Sequence, residues 1–317
     1  MSGLISWVVP LSAARPVVVF HAAAGLMILV VTPLKLRGSV RAGFKRGRPS
    51  RWLSSAFGVL VLATIALGAA HATALWFGVG YWSALWTHQL IGFLLAPLLL
   101  WHVATRPVRP STADVDRRAV LATGAAGAAA LGVIVVQESV ARLLGTAAVD
   151  RVGTGSHDAG SFEPDAMPTV QWLDDRVPAD TSADAWALTI AGDAVTVDDL
   201  WARSRPMVAR LDCTGGWFAD QSWDAVALDE LLPPAATATG RSIMVTSSTG
   251  YRRLFPLVDA AELFLAVRYD GRRLRRGHGA PVRLVAPNRR GPQWVKWVID
   301  VSVVDRPSWL QLPLPPT

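Results

Sequence analysis

The single cysteine of the chain, Cys213, directly follows a predicted strand at Met207–Asp212. Gly215 and Gly216 come shortly after it and permit a sharp bend and the close approach of a bulky group, and Trp217 ends the segment. A lone thiol has no partner for a structural disulfide. We therefore expect Cys213 to be a metal ligand, a nucleophile or a buried core residue. Thiolate ligation suits a transition metal, whereas burial is the commonest fate of a free cysteine.

A second group of candidate residues is cationic and lies between positions 277 and 297. It consists of a histidine, a glycine and four cations around a predicted strand: His278, Gly279, Arg283, Arg289, Arg290 and Lys296. Guanidinium and ammonium groups that converge near exposed backbone amides form a site for phosphate or another polyanion. The alternative is a basic edge that is merely solvated.

Four histidines fall in apolar stretches: His21, His71, His88 and His102. Polar side chains inside a membrane are costly and usually functional. His88 and His102 are fourteen residues apart, about four helical turns, so they share one face. A neutral imidazole inside a bundle suits the iron of haem b, and we expect His71 and His88 to ligate it. The alternative is that these histidines lie near helix ends and contact headgroups or water.

Four apolar stretches position these histidines: Pro16–Leu34, Trp52–Val79, Ala84–Thr105 and Ala119–Val140. Each is near the roughly 20 residues that a helix needs to cross a hydrocarbon core of about 30 Å. Because lipid offers no partners to backbone polar groups, helices are the expected structure. Residues 1–143 are therefore predicted to be an all-α four-helix transmembrane bundle, with the lipid bilayer as its partner.

Charge separates the chain into two parts. Residues 1–140 carry a net charge of +9 and residues 141–317 a net charge of −2, within an overall +7. The sequence pI of about 10.4 thus belongs to the membrane part, and nucleic-acid binding is not expected. A chain that is 51% hydrophobic and 17% charged, with one cysteine, is neither wholly soluble, disordered nor a disulfide scaffold.

The basic segments predict the topology. Lys35–Arg51 holds seven cations and no acid, and Arg106, Arg109, Arg117 and Arg118 lie between the third and fourth stretches. The positive-inside rule places both segments in the cytoplasm. This placement predicts a multi-pass protein of the plasma membrane. Its N-terminus and its C-terminal domain are expected outside the cytoplasm. Asp116-Arg117-Arg118 is either an internal twin-arginine export signal or a pair of stop-transfer arginines.

The remaining chain is predicted to hold a linker at residues 144–168 and one α+β, mostly β, domain at residues 169–317. Alternating apolar residues and Gly/Asp turns favour short strands. We expect them at Trp186–Ile190, Met207–Asp212, Ser242–Ser247, Arg252–Pro256, Leu263–Tyr269, Val282–Ala286 and Val295–Val304. One short helix is expected at Leu228–Leu232.

Four segments of this domain occur together in the order found in one known family. They are Cys213–Trp217, Trp223–Leu232, Gly277–Arg283 and Val295–Trp297. In these segments the region resembles the molybdopterin-binding domain of the sulfite oxidase family, which includes periplasmic methionine sulfoxide reductases. The chain departs from the family pattern at Ser161–Pro164, where many members have an arm that contacts the pterin. The membrane part resembles bacterial four-helix b-type cytochromes in helix count and histidine content.

The resemblance implies that Cys213 donates its thiolate to molybdenum. It implies that the segment with Gly215, Gly216 and Trp217 adjoins the cofactor. It also implies that His278 with Gly279, Arg283, Lys296 and Arg289 or Arg290 hold the pterin and its phosphate. Oxygen-atom transfer is the chemistry of that family. Tyr251, Arg252 and Arg253 are candidates for orienting a small-molecule substrate.

Three functions are consistent with these patterns. The first is a membrane-anchored molybdopterin-dependent oxidoreductase that exchanges electrons, through haem, with quinone or another carrier. The second is the same enzyme on helices that serve only as an anchor. The third is a cofactor-free extracytoplasmic binding or assembly module on a membrane anchor.

Overall fold

The computed structural model describes residues 2–47, 51–74, 78–79, 82–105, 116–170, 176–238 and 240–312. The chain forms two compact units. One unit contains Met1–Gly3 and Ala14–Gly155, and the other contains Leu4–Ala13 and Ser156–Thr317.

The N-terminal part of the chain is mostly helical. They are α1 (Ser2–Ile5), α2 (Leu11–Lys45), α3 (Arg51–Ala72), α4 (Ala84–Thr105) and α5 (Arg117–Leu144), with a small hairpin of β1 (Gly78–Val79) and β2 (Trp82–Ser83) between α3 and α4. The four helices α2 to α5 are long and apolar enough to cross a membrane, judged by length and composition. The predicted helical architecture is confirmed in this part, and its insertion into a bilayer stays a prediction.

Capping residues explain where α5 begins and ends. The Asp116 carboxylate accepts a hydrogen bond from the Ala119 backbone N–H at 2.7 Å, so the helix starts at Arg117. Gly145 ends it in the left-handed conformation, with φ of 60°. Arg117 and Arg118 therefore form its first turn, whereas Arg106 and Arg109 lie outside the described residues.

The second apolar stretch is helical over only part of the predicted range. The prediction of one helix over Trp52–Val79 is wrong at its end, because α3 stops at Ala72 and β1 occupies Gly78–Val79. Ala74 has a φ of 57°, which a continuing helix does not permit. Glycine at position 78 also disfavours a helix.

The second unit is built from two sheets and short helices. Its strands are β3 (His157–Asp158), β4 (Leu188–Ile190), β5 (Asp193–Val195), β6 (Arg205–Cys213), β7 (Trp217–Ala227), β8 (Ser242–Ser247), β9 (Arg252–Pro256), β10 (Phe264–Tyr269), β11 (Arg272–Arg273), β12 (Arg283–Val285) and β13 (Val298–Val304). Its α-helices are α6 (Val197–Arg203), α7 (Leu228–Leu231) and α8 (Pro234–Thr237). The predicted α+β, mostly β class is confirmed for this unit.

The two sheets have different roles. In one, the order is β11-β10-β7-β3, with β6 paired to β7 and β12 paired to β10. In the other, the order is β5-β4-β13-β8-β9, and β13 runs parallel to β4 but antiparallel to β8. The first sheet carries Cys213 at the end of β6 and Arg283 at the start of β12. It therefore carries one residue from each of the two groups that the sequence singled out.

Strand β7, the longest described strand of this unit, was not predicted from the sequence. Polar residues such as Asp220, Gln221 and Ser222 interrupt its apolar pattern. It is a strand because β6 and β10 pair with it on both sides, which satisfies its backbone groups. Helix α6 was also missed, although Thr196 and Asp199 form a capping box at its start.

Candidate functional site

Cys213 lies at the tip of a β-hairpin. It is the last residue of β6 and pairs directly with Trp217, the first residue of β7. The turn between them needs Gly216, whose φ is 92°, a value that a side chain disfavours. The Gly215 backbone N–H donates a hydrogen bond to the Cys213 Sγ at 3.4 Å. The turn thus holds the sulfur in a defined position.

Trp217 presents a polar group on the same face of the hairpin as the thiol. Directly opposed residues of an antiparallel pair project to one side of the sheet. The Trp217 side chain is buried, and its Nε1–H has no hydrogen-bond acceptor among the described residues. A buried donor without an acceptor is energetically unfavourable, so it marks a place where a bound group can accept a hydrogen bond.

A buried ion pair holds the backbone next to Cys213. The Arg290 Nη1 lies 3.1 Å from the Asp212 Oδ1, and the two side chains are 4% and 1% exposed. The Ser156 hydroxyl donates to the same carboxylate oxygen at 2.7 Å, and the Arg290 Nη2 donates to the Cys213 carbonyl at 3.3 Å. The backbone of Gly291 also lies against Cys213, because a Cβ added at Gly291 would lie 3.2 Å from the Cys213 Cα.

Burial and charge act on the thiol in opposite directions. Burial raises the pKa of Cys213, which is the largest effect. The Gly215 hydrogen bond and the charges of Arg290 and Lys296 lower it in part. The thiol is therefore protonated at neutral pH when no cation is bound. A coordinated metal ion would deprotonate it outright.

The second group of predicted residues assembles around Gly279, which has a φ of 103°. A Cβ at this glycine would lie 3.0 Å from the Arg283 Cβ and 3.1 Å from the Lys296 Cβ. The Lys296 Nζ donates to the carbonyls of Val170 and Gly277, both at 2.7 Å. The structure thus brings Gly279, Arg283 and Lys296 together, as the sequence predicted.

His278 uses both ring nitrogens within the protein. Its Nε2 lies 3.1 Å from the Met167 carbonyl and 3.1 Å from the Thr169 hydroxyl, so Nε2 carries the proton. Its Nδ1 then accepts from the Tyr269 hydroxyl at 3.2 Å. Burial, followed by the charges of Arg283 and Lys296, lowers the pKa of His278 to about 4. The ring is neutral at neutral pH and orders the surrounding loop.

Arg283 is a cation buried among aromatic rings. The side chain is 1% exposed, and its Cζ lies 5.0 Å from the Trp223 ring and 5.4 Å from the Trp294 ring. Its Nη1 donates to the His278 carbonyl at 2.9 Å, while Nε has no acceptor within the described part of the chain. Burial lowers the pKa of Arg283 to about 9, so it remains charged at neutral pH. No described carboxylate forms an ion pair with it.

Lys296 connects the two groups electrostatically. Its charge lowers the pKa of both Cys213 and His278. Its positive charge therefore acts on the thiol and on the histidine loop alike.

The structure distinguishes the two consecutive arginines. Arg290 contacts the Cys213 segment, whereas Arg289 pairs with Asp259 and lies 5.3 Å from the Phe255 ring. Arg289 is thus held at a different place from the thiol. Of the two alternatives for the cofactor cation, the structure brings only Arg290 to Cys213.

The candidate substrate residues have unequal surroundings. The buried Tyr251 hydroxyl donates to the Pro292 carbonyl, in the segment next to Gly291. Arg253 is buried and its Nη1 donates to the Leu312 carbonyl at 3.1 Å. Arg252 is exposed. Tyr251 therefore supports the segment that contacts Cys213, while Arg253 fastens the C-terminal segment.

Two of the four histidines in the apolar helices lie together. The ring centroids of His21 and His88 are 5.9 Å apart, and their planes are at 90°. The His88 Nδ1 donates to the Thr64 carbonyl at 2.7 Å, so Nε2 keeps its lone pair. The His71 Nε2 instead lies 3.0 Å from the Arg151 Nη1. His102 stacks on Phe57 at 5.8 Å.

The domain that contains this site is similar to a known protein family. Residues 175–310 match the model of the oxidoreductase molybdopterin binding domain. The matched domain contains Cys213, Arg290 and the whole group around Gly279. The match supports a molybdenum-dependent oxidoreductase domain, and the fold of the unit is consistent with it.

One solved structure shows a partial likeness to the chain. It is the sulfane dehydrogenase SoxCD from Paracoccus pantotrophus, with 24% sequence identity and a TM-score of 0.36. The alignment covers 40% of this chain and 40% of that chain. No curated protein matches the sequence.

The residues present fit an anionic cofactor that carries a metal. A thiol supplies a soft ligand, and the Nε atoms of Arg283 and Arg290 are buried donors without acceptors among the described residues. These donors are suited to a phosphate or a pterin oxygen. Among the described residues no cluster of three or more His, Cys, Asp or Glu could hold a metal ion.

Three residues that form hydrogen bonds or an ion pair with the site residues were not predicted from the sequence. Asp212, Ser156 and Thr169 hold Arg290 and His278 but belong to no recognisable motif. Asp212 could have been found from the sequence, because it directly precedes Cys213. Ser156 and Thr169 are distant in sequence, and only the fold brings them close.

Proposed function

We propose that this protein is a molybdopterin-dependent oxidoreductase that acts on a small-molecule substrate outside the cytoplasm and is anchored in the cell membrane by α2 to α5. The observation that carries the proposal is the position of Cys213 beside Arg290 and within the field of Lys296. It is supported by the family match over residues 175–310.

The residues have separate tasks in this proposal. Cys213 ligates the metal, and Arg290 fixes the backbone that presents the sulfur. Arg283 and Lys296 would bind the anionic pterin and its phosphate, and the Trp217 Nε1–H would donate a hydrogen bond to the bound cofactor. When bound, the molybdenum cofactor supplies two-electron oxygen-atom transfer, the chemistry of sulfite oxidase-like enzymes.

The membrane part carries electrons in this proposal. Four apolar helices, with basic residues between the first two and between the last two, support a topology in which the catalytic unit lies outside the cytoplasm. If a haem is bound, His21 and His88 would be the pair that holds its iron, because their ring centroids lie 5.9 Å apart and imidazole is a haem ligand. The His88 tautomer, with Nδ1 bonded to a carbonyl, is the form in which histidine ligates metals.

Metal analysis tests the central claim. The full chain, expressed in a host that makes the cofactor, should contain about one molybdenum per chain. Cys213→Ser should lose most of that molybdenum. Val208→Ala, at an exposed position of the same strand, should keep it.

Two outcomes would reject the enzyme. One is wild-type protein without molybdenum or pterin, which would leave the cofactor-free binding module as the function. The other is Cys213→Ser with undiminished metal, because the sulfur would then be unnecessary for binding.

A further inference from the structure

Strand β9 lies at the edge of the sheet β5-β4-β13-β8-β9, with β8 on one side and no strand on the other among those described. Hydrogen-bonded pairs alternate along an antiparallel ladder, so every second residue of β9 turns its backbone N–H and C=O away from β8. Leu254 is one of these residues, because both of its backbone groups bond a side chain outside the sheet. Arg252 and Pro256, two positions to either side, face the same way. A further strand can pair with such an edge.

The side chain of Gln311 occupies this edge. The Leu254 N–H donates to the Gln311 Oε1 at 3.0 Å, and the Gln311 Nε2 donates to the Leu254 carbonyl at 2.7 Å. A residue on a neighbouring antiparallel strand would form the same two bonds with the backbone of Leu254. The amide of Gln311 therefore takes the place of a strand at the middle of β9.

The segment that carries Gln311, residues 309–312, is here called the strap. Besides the two bonds of Gln311, the Arg253 Nη1 donates to the Leu312 carbonyl at 3.1 Å. The three apolar residues of the strap are exposed: Trp309 to 76%, Leu310 to 46% and Leu312 to 63%. A segment that is held by hydrogen bonds and buries little apolar surface opens locally more easily than the core does.

The sequence of β9 is self-complementary in an antiparallel pair. When Leu254 of one copy lies opposite Leu254 of another, each residue donates its N–H to the carbonyl of the other. Arg252 then lies opposite Pro256, and its N–H donates to the proline carbonyl. Like charges opposite each other would be unfavourable, and this register avoids them. The pair has a twofold axis, the commonest symmetry of homodimers.

We infer that the strap covers the β9 edge, and that the uncovered edge pairs with β9 of a second copy of this chain. Opening breaks the two bonds between Gln311 and Leu254, and pairing replaces them with the same bonds between the two strands. The strap thus controls the oligomeric state. The inference does not depend on the cofactor, because β9 belongs to the sheet that does not carry Cys213.

Three variants test the two halves of this inference. Gln311→Ala removes both bonds to Leu254 and leaves β9 itself unchanged. Leu310→Ala is the matched control, because it shortens an exposed apolar side chain of the same strap. Arg252→Pro, added to Gln311→Ala, removes an N–H that faces away from β8. Proline is tolerated at such an edge position and prevents pairing with a further strand.

The experiment measures the monomer–dimer equilibrium of the full chain in detergent micelles by sedimentation velocity at several protein concentrations. Gln311→Ala should lower the dimer dissociation constant by about tenfold or more, because two hydrogen bonds no longer compete with pairing. Leu310→Ala should behave like the wild type, and the double variant should return to the wild-type value. Gln311→Ala that dimerises no better than the wild type, or a dimer that Arg252→Pro leaves unchanged, would overturn the inference.

Hydrogen exchange and native mass spectrometry identify the surface and the occupant. In Gln311→Ala the Leu254 amide should exchange faster than in the wild type at low protein concentration and become protected at high concentration. A dimer in which this amide still exchanges freely would have its interface elsewhere, which contradicts the inference. The dimer mass should be twice that of the chain, and a different polypeptide bound in its place would reject the second copy as the occupant.

Discussion

Asp212 and Arg290 form an ion pair 3.1 Å long that is almost entirely removed from solvent. The pair joins the strand that ends in Cys213 to the segment that contains Gly291, which are far apart in sequence. A buried ion pair contributes little net stability by itself, but an unpaired buried charge is strongly unfavourable. The pair therefore fixes the position of the thiol more than it stabilises the fold.

Removing one partner of this ion pair should strongly destabilise the folded protein. Arg290→Met leaves the Asp212 carboxylate buried without its cation, and we expect it to lower the free energy of unfolding by about 3–5 kcal/mol. Asp212→Asn combined with Arg290→Met should recover part of that loss. Denaturant unfolding of the purified variants checks both. A single variant as stable as the wild type would show that the pair does not constrain the hairpin.

The stability of the second unit should fall in mild acid because of His278. Its pKa is lowered to about 4 in the folded chain, whereas an unfolded histidine titrates near 6.5. Between these values the unfolded chain binds a proton that the folded chain does not, so stability decreases as the pH falls from about 6.5 to 4. The expected loss is roughly 2–3 kcal/mol. His278→Gln should flatten this part of the unfolding temperature profile measured from pH 7.5 to 4.5.

The two histidine pairs make opposite predictions for a haem. If His21 and His88 ligate the iron, His21→Ala should abolish the b-type band in the reduced-minus-oxidised spectrum. His71→Ala should keep it, because His71 is bonded to Arg151 instead. The reverse result would restore the pairing that the sequence predicted.

The indole N–H of Trp217 should contribute to cofactor retention, since it forms no hydrogen bond with the described residues. Trp217→Phe removes a donor that has no acceptor among the described residues, and we expect about two- to tenfold weaker retention of molybdenum on dialysis. Trp186→Phe is the matched control, because the Trp186 Nε1 donates to the Val298 carbonyl at 2.7 Å. That control should lose about 1 kcal/mol of stability and retain the metal. Equal metal content in both variants would contradict the role of Trp217.

Sequence patterns identified most of the strands of the second unit. Ser242–Ser247 and Arg252–Pro256 were predicted at their observed bounds, because alternating apolar residues between turn residues are a local signal. The long strand Trp217–Ala227 was missed, because its polar residues disguise that alternation. Its strand conformation depends on pairing with two distant neighbours.

The amino-acid sequence by itself determined the four apolar helices, the mainly β class of the second unit and the thiol and cations as candidates, because hydrophobicity, charge and residue type are local properties. Only the tertiary structure decided that Arg290 rather than Arg289 reaches Cys213, that His88 faces His21, and that Lys296 acts on both Cys213 and His278. These relationships are distances between residues remote in the chain. They follow from strand pairing and helix packing, which no single segment contains.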